Sequence, residues 1–453
     1  MRAAGGPAER AAALVLVLAS WAAAFVAGGR RPGPDLEPFV RRAFPGARSE
    51  AVAPGILAAR RDGALVGYAT TGHADGYSGP LTLAVAADSD GRLRAVALLE
   101  HHDTPLIVRS GGPLLRSLLG KGPGDRFRLG EDLDAVSGAT HTSRGVALAS
   151  LAAAQAIAER ALARAVQARG QSPIGAPEVA LAALLLAAAV GQNRAALAGR
   201  TRRLLRAATL AGSLAVLGIV FAQPWAIAFP IRLLAGDWPA WRTHLYWYAL
   251  LAFTLASFAR AGRSPYCPWL CPFGAAQDAL GLATGAIRRR APRRRLFLGL
   301  KAGLLWLAVL LGLFYRNPAA ASYEVFGVAF RGRGSGAQLA LLVVVVLAAL
   351  LVRRPFCHYA CPVDAVERGL RPLRRRLAGR PALPASAGVR PVVPRAPAAP
   401  VFRRLRQGLV VAAGLLAVAL AVVHLLTAVP AGAGADPGEL LADTYVSLDG
   451  LRP

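Results

Sequence analysis

Asp134-Ala-Val-Ser-Gly-Ala-Thr-His-Thr-Ser143 is the stretch of this 453-residue chain that carries the most chemistry. It sets a hydroxyl-bearing turn, Ser137-Gly138-Ala139-Thr140, three residues after the Asp134 carboxylate. Gly138 and Ala139 are small, so a bulky group can reach the Thr140 side chain. Ser143 and the apolar residues from Val146 onward have the pattern of a helix start. Backbone N–H groups left unpaired at such a start favour a phosphate. The competing reading is an N-capped turn that opens a helix and does no chemistry.

Around this stretch the chain is 55% hydrophobic with a formal net charge of +28. Its mean hydropathy of +0.43 is too high for an ordinary soluble enzyme and fits several membrane spans joined by polar segments. Lys121 and Lys301 are the only lysines, so the basic charge is arginine. A basic protein can bind nucleic acid. Here the arginines flank apolar runs, which the positive-inside rule explains more economically, and no nucleic-acid partner is expected.

Residues 1–31 hold the apolar run Ala11–Ala27 and are expected to be a signal segment or membrane anchor. Residues 32–170 then alternate polar and apolar positions, as in Leu81–Ala86 and Leu93–Leu99, and end in an alanine-rich helix. This pattern predicts a small exported α/β or α+β domain with a connecting helix. Residues 171–370 are expected to form a transmembrane helical core, 371–406 a Pro/Arg-rich cytoplasmic linker, 407–430 a last span and 431–453 an extracytoplasmic acidic tail. Candidate spans are Ala176–Val190, Ala207–Phe221, Leu245–Phe258, Leu296–Phe314, Ala337–Val352 and Leu409–Leu426. Connections 194–206, 286–295 and 353–406 are arginine-rich, whereas 222–244 and 315–336 are poorer. That asymmetry puts the rich connections in the cytoplasm, and the 32–170 domain and the tail outside.

All four cysteines fall in two matching motifs, Cys267-Pro-Trp-Leu-Cys271-Pro272 and Cys357-His-Tyr-Ala-Cys361-Pro362. Each follows a candidate span, which predicts an internal parallel repeat that brings the four thiols together on the cytoplasmic side. If helical, the i,i+4 spacing sets both sulfurs of a motif on one face, and the following proline suits the first turn of a new helix. Four thiolates can hold an iron–sulfur cluster or zinc, act as redox dithiols, or be inert.

Residues 134–140 resemble the flavinylation motif of FMN-binding domains, Asp-x-x-Ser/Thr-Gly-Ala-Thr, at every specified position. The resemblance implies FMN joined through its phosphate to Thr140, with Asp134, Ser137, Gly138, Ala139, His141, Thr142 and Ser143 as neighbouring cofactor contacts. It also implies a flavin transferase for maturation. With the cysteine motifs added, most of the chain resembles the NosR/NirI-like membrane flavoproteins. Leu99-Glu-His-His-Asp-Thr-Pro105 is similar to a Glu-His-x-Glu-Pro segment of that family, with the proline shifted by one. Full-length relatives carry a ferredoxin-like domain with further four-cysteine motifs. No cysteine follows Cys361, so the expected form is a short one, similar to members associated with reductive dehalogenases.

The expected role is electron transfer rather than stand-alone catalysis. A quinol or cytoplasmic donor would exchange electrons with an extracytoplasmic reductase or acceptor through covalent FMN, in the bacterial inner membrane. A redox-sensing regulator or maturation factor is the alternative. His244 and His424 lie near span ends, but two lone histidines there are usually hydrogen-bonded or solvated, so haem b is not expected. Trp225, Trp238, Trp241 and Trp247 read as an interfacial belt. Asp278 and Asp364 read as partners of nearby arginines. The chief difficulty is the ~30 Å bilayer between an external flavin and cytoplasmic thiols, too far for one electron step.

Overall fold

The computed structural model describes residues 7–29, 35–76, 80–101, 112–134, 140–164, 176–192, 197, 199–221, 224–239, 241, 244–261, 264–286, 289, 291–318, 321–332, 334–377, 400–432 and 437–451. The readings on Ser137, Gly138, Ala139 and His102 lie outside these residues. The chain divides into two compact units. One comprises Ala19–Gln171, Leu311–Ala320 and Val429–Pro453, and the other Met1–Leu18, Ser172–Leu310 and Ala321–Ala428.

The first unit is built on a six-stranded antiparallel sheet in the order β1-β2-β3-β4-β5-β6. Its strands are β1 (Arg48–Ala53), β2 (Ile56–Arg61), β3 (Ala64–Asp75), β4 (Pro80–Ala87), β5 (Leu93–Glu100) and β6 (Val446–Ser447). Helix α1 (Pro7–Ala27) precedes it, and α2 (Glu37–Ala43), α3 (Gly112–Ser117) and α4 (Thr140–Arg160) belong to the same stretch of chain. With every pairing antiparallel, the domain is α+β.

Period-2 alternation decides which side chains meet which layer. Leu81, Leu83, Val85 and Ala87 of β4 pack with Val146, Ala149, Ala153 and Ile157 of α4. Ala84 and Ala86 of the same strand face the opposite layer with Phe39, Val40 and Leu441. Two glycines let α4 lie close to β3. A Cβ on Gly72 would come 2.0 Å from the Ala149 carbonyl oxygen, and one on Gly145 would come 2.5 Å from that of Asp75.

The acidic tail is part of this unit and does not hang free. β6 pairs with β5 at Ala95↔Ser447 and Val96↔Val446, and the residues just before it supply Leu441 to the core. Thr444 is buried; its hydroxyl accepts from the Leu98 N–H (2.8 Å) and donates to the Leu440 carbonyl (2.7 Å). It thus satisfies a strand-edge N–H just beyond the short β6 ladder.

The second unit is helical. In chain order it holds α5 (Ala176–Gln192), α6 (Gly199–Ser213) continued by a π-helical segment (Leu214–Val220), α7 (Ala228–Leu234), α8 (Leu245–Ala261), a π-turn (Tyr266–Leu270) and α9 (Pro272–Ala283). There follow α10 (Arg294–Phe314), α11 (Phe326–Arg331), α12 (Gly336–Ala349), α13 (Pro355–Tyr359), α14 (Pro362–Leu377) and α15 (Pro400–Gly432). Helix α16 (Pro437–Thr444) then leads into β6. Within α6–π, α10 and α15, stretches Gly199–Val220, Leu296–Phe314 and Arg404–Thr427 are long and apolar enough to cross a membrane. Ala12–Ala27, Ala176–Gln192 and Gly336–Ala349 are shorter apolar helices. Helices enter the expected linker from both sides, to Leu377 and from Pro400.

Thr444→Val keeps the shape of the side chain but strands the Leu98 N–H in a buried site. The expected cost is about 1–3 kcal/mol, read as a lower melting temperature of the full-length protein in detergent. An unchanged melt would mean that the tail does not support the sheet.

Candidate cofactor sites

The expected flavin attachment point falls at a helix start. Thr140 is the first residue of α4, three residues earlier than the Ser143 start that the sequence suggests. Thr142 and Ser143 are buried, and Ser143 is fully so. Asp134 is exposed, and its N–H donates to the Ser117 hydroxyl (3.1 Å). Thr140 and His141 are positioned by their backbone. The close contact of Gly145 with the Asp75 carbonyl fixes this helix end over the end of β3. The 21-residue helix offers N-terminal N–H groups and the positive end of its dipole to a phosphate, so the position fits FMN. Upstream, Asp132 gathers the N–H groups of Phe127 and Arg128 and the Lys121 ammonium. Burial alone would raise its carboxyl, but these donors outweigh it and hold it below the usual carboxylate range.

The two cysteine motifs share a local geometry. The Cys271 N–H donates to the Tyr266 carbonyl (2.8 Å), and the Cys361 N–H donates to the Phe356 carbonyl (2.9 Å). Each second cysteine stands before the proline that opens a helix, Pro272 or Pro362. A residue before proline is pushed out of the helical region, and Cys271 is extended at ψ 110. The one-helix-face expectation is therefore corrected: the helical run breaks between the two cysteines of each motif.

The first motif packs along a long apolar helix. Along α6 and its π continuation, Arg206 donates to the Pro268 carbonyl (2.9 Å), Ser213 donates to the Leu270 carbonyl, and Gly218 abuts Pro272. At 1.5 Å per residue from Gly199, these contacts begin about 10 Å along the helix and pass about 20 Å. The first motif thus runs beside the apolar helix, not beyond its end. The arginine-poor connections reach in to meet the motifs. The Trp225 N–H donates to the Tyr266 hydroxyl (2.8 Å), and the Tyr323 hydroxyl donates to the Ala360 carbonyl (3.0 Å). The Ile227 N–H joins the two connections by donating to Glu324 Oε1 (2.7 Å). Trp247 is buried and stacks with Trp225, so these two do not stand in the belt to which exposed Trp238 and Trp241 still conform. His424 Nδ1 is within hydrogen-bond distance of Ser335 Oγ (2.8 Å), and Ser335 caps α12.

Helix α9 and the second motif are interlocked. Gln277 accepts from the Phe356 N–H (3.1 Å), and its amide points at Cys357 Sγ (3.8 Å). Asp278 accepts two bonds from Arg354 (2.8 and 2.6 Å). Burial would raise the Asp278 carboxyl, but Arg354 and Arg353 hold it below the ordinary range. Asp364 pairs with fully buried Lys301 and with Arg368 (2.7 Å). Both aspartates are therefore structural partners of cations, as the sequence suggests.

All four cysteines are free; Cys271 and Cys361 are buried, and Cys267 and Cys357 are half-buried. The thiols interact electrostatically across the motifs, Cys267 with Cys361 and Cys271 with Cys357. Sulfur acceptors are already served: Gly274 N–H donates to Cys271 Sγ (3.3 Å), and Asp364 N–H donates to Cys361. Among the described residues, no three His, Cys, Asp or Glu side chains close on one point as the ligands of a single metal ion do. Four free cysteine thiols are a donor type that suits an iron–sulfur cluster or zinc.

Comparisons with known proteins bear on both sites. The family model described as FMN-binding domain matches residues 76–155. That described as 4Fe-4S binding domain matches residues 243–295 and 336–381, one cysteine motif in each. With the apolar helices, these matches define a membrane redox protein that carries a flavin domain and iron–sulfur binding segments. The chain is 30% identical to the regulatory protein NosR of Pseudomonas aeruginosa over 199 residues, 40% of this chain and 27% of that protein. The features together resemble those of the NosR/NirI-like flavoproteins. The match spans about a quarter of the curated relative's length. No solved structure matches the chain.

The sequence reading missed Gln277, Tyr323, Glu324 and Arg354. Arg354 was legible only as one more basic residue beside a span, and a lone Glu324 in an arginine-poor connection gave no signal.

Glu324 is fully buried and makes no ion pair among the described residues.

Proposed function

We propose that the protein is a membrane electron carrier. FMN esterified through its phosphate to Thr140, by an exported flavin transferase, faces the extracytoplasmic side and meets a reductase or other acceptor there. Cys267, Cys271, Cys357 and Cys361 hold an iron–sulfur cluster, fed by quinol or a cytoplasmic donor. The two halves, each a long helix, a short helix, another long helix and a Cys-x-x-x-Cys-Pro motif, form a parallel internal repeat in the inner membrane. The domain boundaries follow the sequence: anchor 1–31, flavin domain 32–170, helical core 171–370, linker 371–406, last span 407–430 and tail 431–453. Bound FMN supplies the step between two-electron and one-electron chemistry. Around it, the α4 start holds the phosphate, with Asp134, Ser137, Gly138, Ala139, His141, Thr142 and Ser143 as its surroundings.

The observation that carries this reading is the course of the first cysteine motif alongside an apolar helix. A cluster there occupies part of the bilayer thickness that otherwise blocks a single electron step. The two 4Fe-4S matches, each around one motif, support the same assignment. The relative's name, regulatory protein, favours a second reading in which the flavin senses redox state for a reductase system. In that case loss of flavin would alter expression of the reductase, rather than electron delivery to reductase already made.

Thr140→Ala tests the flavin. With a flavin transferase co-expressed, the wild type should fluoresce after denaturing electrophoresis and the variant should not. Persistent fluorescence would move the ester to another hydroxyl. Cys271→Ser tests the cluster: iron content should fall by most of its wild-type value, since a four-thiolate site missing one ligand rarely keeps full affinity. Undiminished iron would sink the four-cysteine assignment.

A further inference from the structure

We propose that Arg354 is the positioning residue and built-in counter-ion of the four-cysteine site, tying the second motif to the first and setting the charge under which the site is reduced. The proposal rests on the reading that these cysteines hold a cluster. One guanidinium touches both halves. It belongs to the second motif, one residue before Pro355, yet its Nη1 donates to the Cys267 carbonyl (2.9 Å) in the first. Its Nε and Nη2 form a two-point bond with Asp278 on α9. The side chain is only 11% exposed. A Cβ on Gly274 would lie 3.3 Å from the guanidinium carbon, so the charge rests against the helix start whose N–H serves Cys271. It interacts electrostatically with Cys357 and Cys271, one thiol of each motif.

The backbone is bent to achieve this. Arg354 has φ 47, the left-handed region that non-glycine residues avoid. Such a conformation persists where its surroundings over-determine it, and here Asp278 and the Cys267 carbonyl do so. Nothing equivalent stands in the first motif, where Ser264 occupies the matching position and its hydroxyl accepts from the Tyr266 N–H (3.0 Å). Arg353 and Arg206 also approach Asp278, but they are 41% and 37% exposed and better screened by solvent.

Four thiolates give an iron–sulfur site net negative charge, and one added electron makes it more negative. A fixed cation in a poorly solvated place favours that reduced state, and net charge is a main determinant of cluster potential. The guanidinium stays protonated throughout, so one electron arrives and no proton moves on Arg354.

The test is redox titration of full-length, iron-loaded protein in detergent, followed by electron paramagnetic resonance, with iron counted in each sample. Arg354→Gln should lower the reduced-to-oxidised ratio at a fixed potential by about tenfold, 59 mV for a one-electron couple. Arg354→Lys, which keeps the charge, should restore most of it. Asp278→Asn keeps the guanidinium and removes its neutralising carboxylate, so its shift should run the other way. A merely structural clamp would move Arg354→Gln and Asp278→Asn in the same direction, and that result overturns the proposal. So does a wild-type potential in Arg354→Gln. If that variant binds no iron, an unchanged or lowered potential in Asp278→Asn overturns it alone. Wild-type protein without iron would sink the cluster reading and this inference together, whereas loaded protein with unmoved potentials sinks only the inference.

Discussion

The buried ion pair between Arg354 and Asp278 is the interaction on which the helical unit turns. Burying two charges costs several kcal/mol per ion, and mutual attraction seldom returns a surplus over a well-packed apolar pair. What such a pair supplies is geometry. Asp278 follows the first motif and Arg354 precedes the second cysteine pair, 76 positions along the chain. Their two-point bond fixes the distance and angle between the halves, with bonds from Gln277 to Phe356 and from Ile227 to Glu324 beside it. Gln277 repeats the device with neutral groups, spending one side chain on a backbone N–H and a sulfur. A site whose four ligands come from two distant stretches needs this kind of directional fastening, because apolar packing alone tolerates sliding.

Strand β6 imposes a second constraint, this time on the course of the chain. Val446 and Ser447 pair with β5, so the residues on either side of the helical core end in the same compartment. Among the described residues, Gly199–Val220, Leu296–Phe314 and Arg404–Thr427 are long and apolar enough to cross a membrane, and α5 and α12 are shorter apolar helices. The sheet of the first unit is thus completed by residues from beyond the last of these helices.

The sequence made some of this legible and not the rest, for physical reasons. Strands β4 and β5 could be read as short apolar runs between turn residues, because both faces of the sheet are buried there. The helix starts at Pro272 and Pro362 were readable because proline constrains its own backbone and that of the residue before it. The sequence shows the tail only as an acidic segment, since a two-residue strand carries no periodicity and its partner lies far away in the chain. The inward reach of residues 225–227 and 323–324 was invisible for a similar reason. Hydropathy reports which segments are apolar but not which polar connection folds in against the cysteine motifs. Arg354 was hidden by abundance: among so many arginines, charge alone could not tell a screened surface residue from one at the centre of a site.

The position of the cysteines bears on how one chain could link two sides of a membrane. Non-helical backbone is tolerated at membrane depth only where protein buries it, because lipid satisfies no N–H or C=O group. The segment from Pro265 to Cys271 meets that demand through carbonyl bonds from Arg206, Ser213 and Arg354 and through its own turn. These donors come from α6 and the second motif, so the irregular segment is solvated by side chains in place of water. A helix in that place would have satisfied its own backbone and pointed its thiols at a single face. The prolines that forbid it leave the second thiol of each motif at a helix start, where a backbone N–H of the following helix, from Gly274 or Asp364, serves the sulfur.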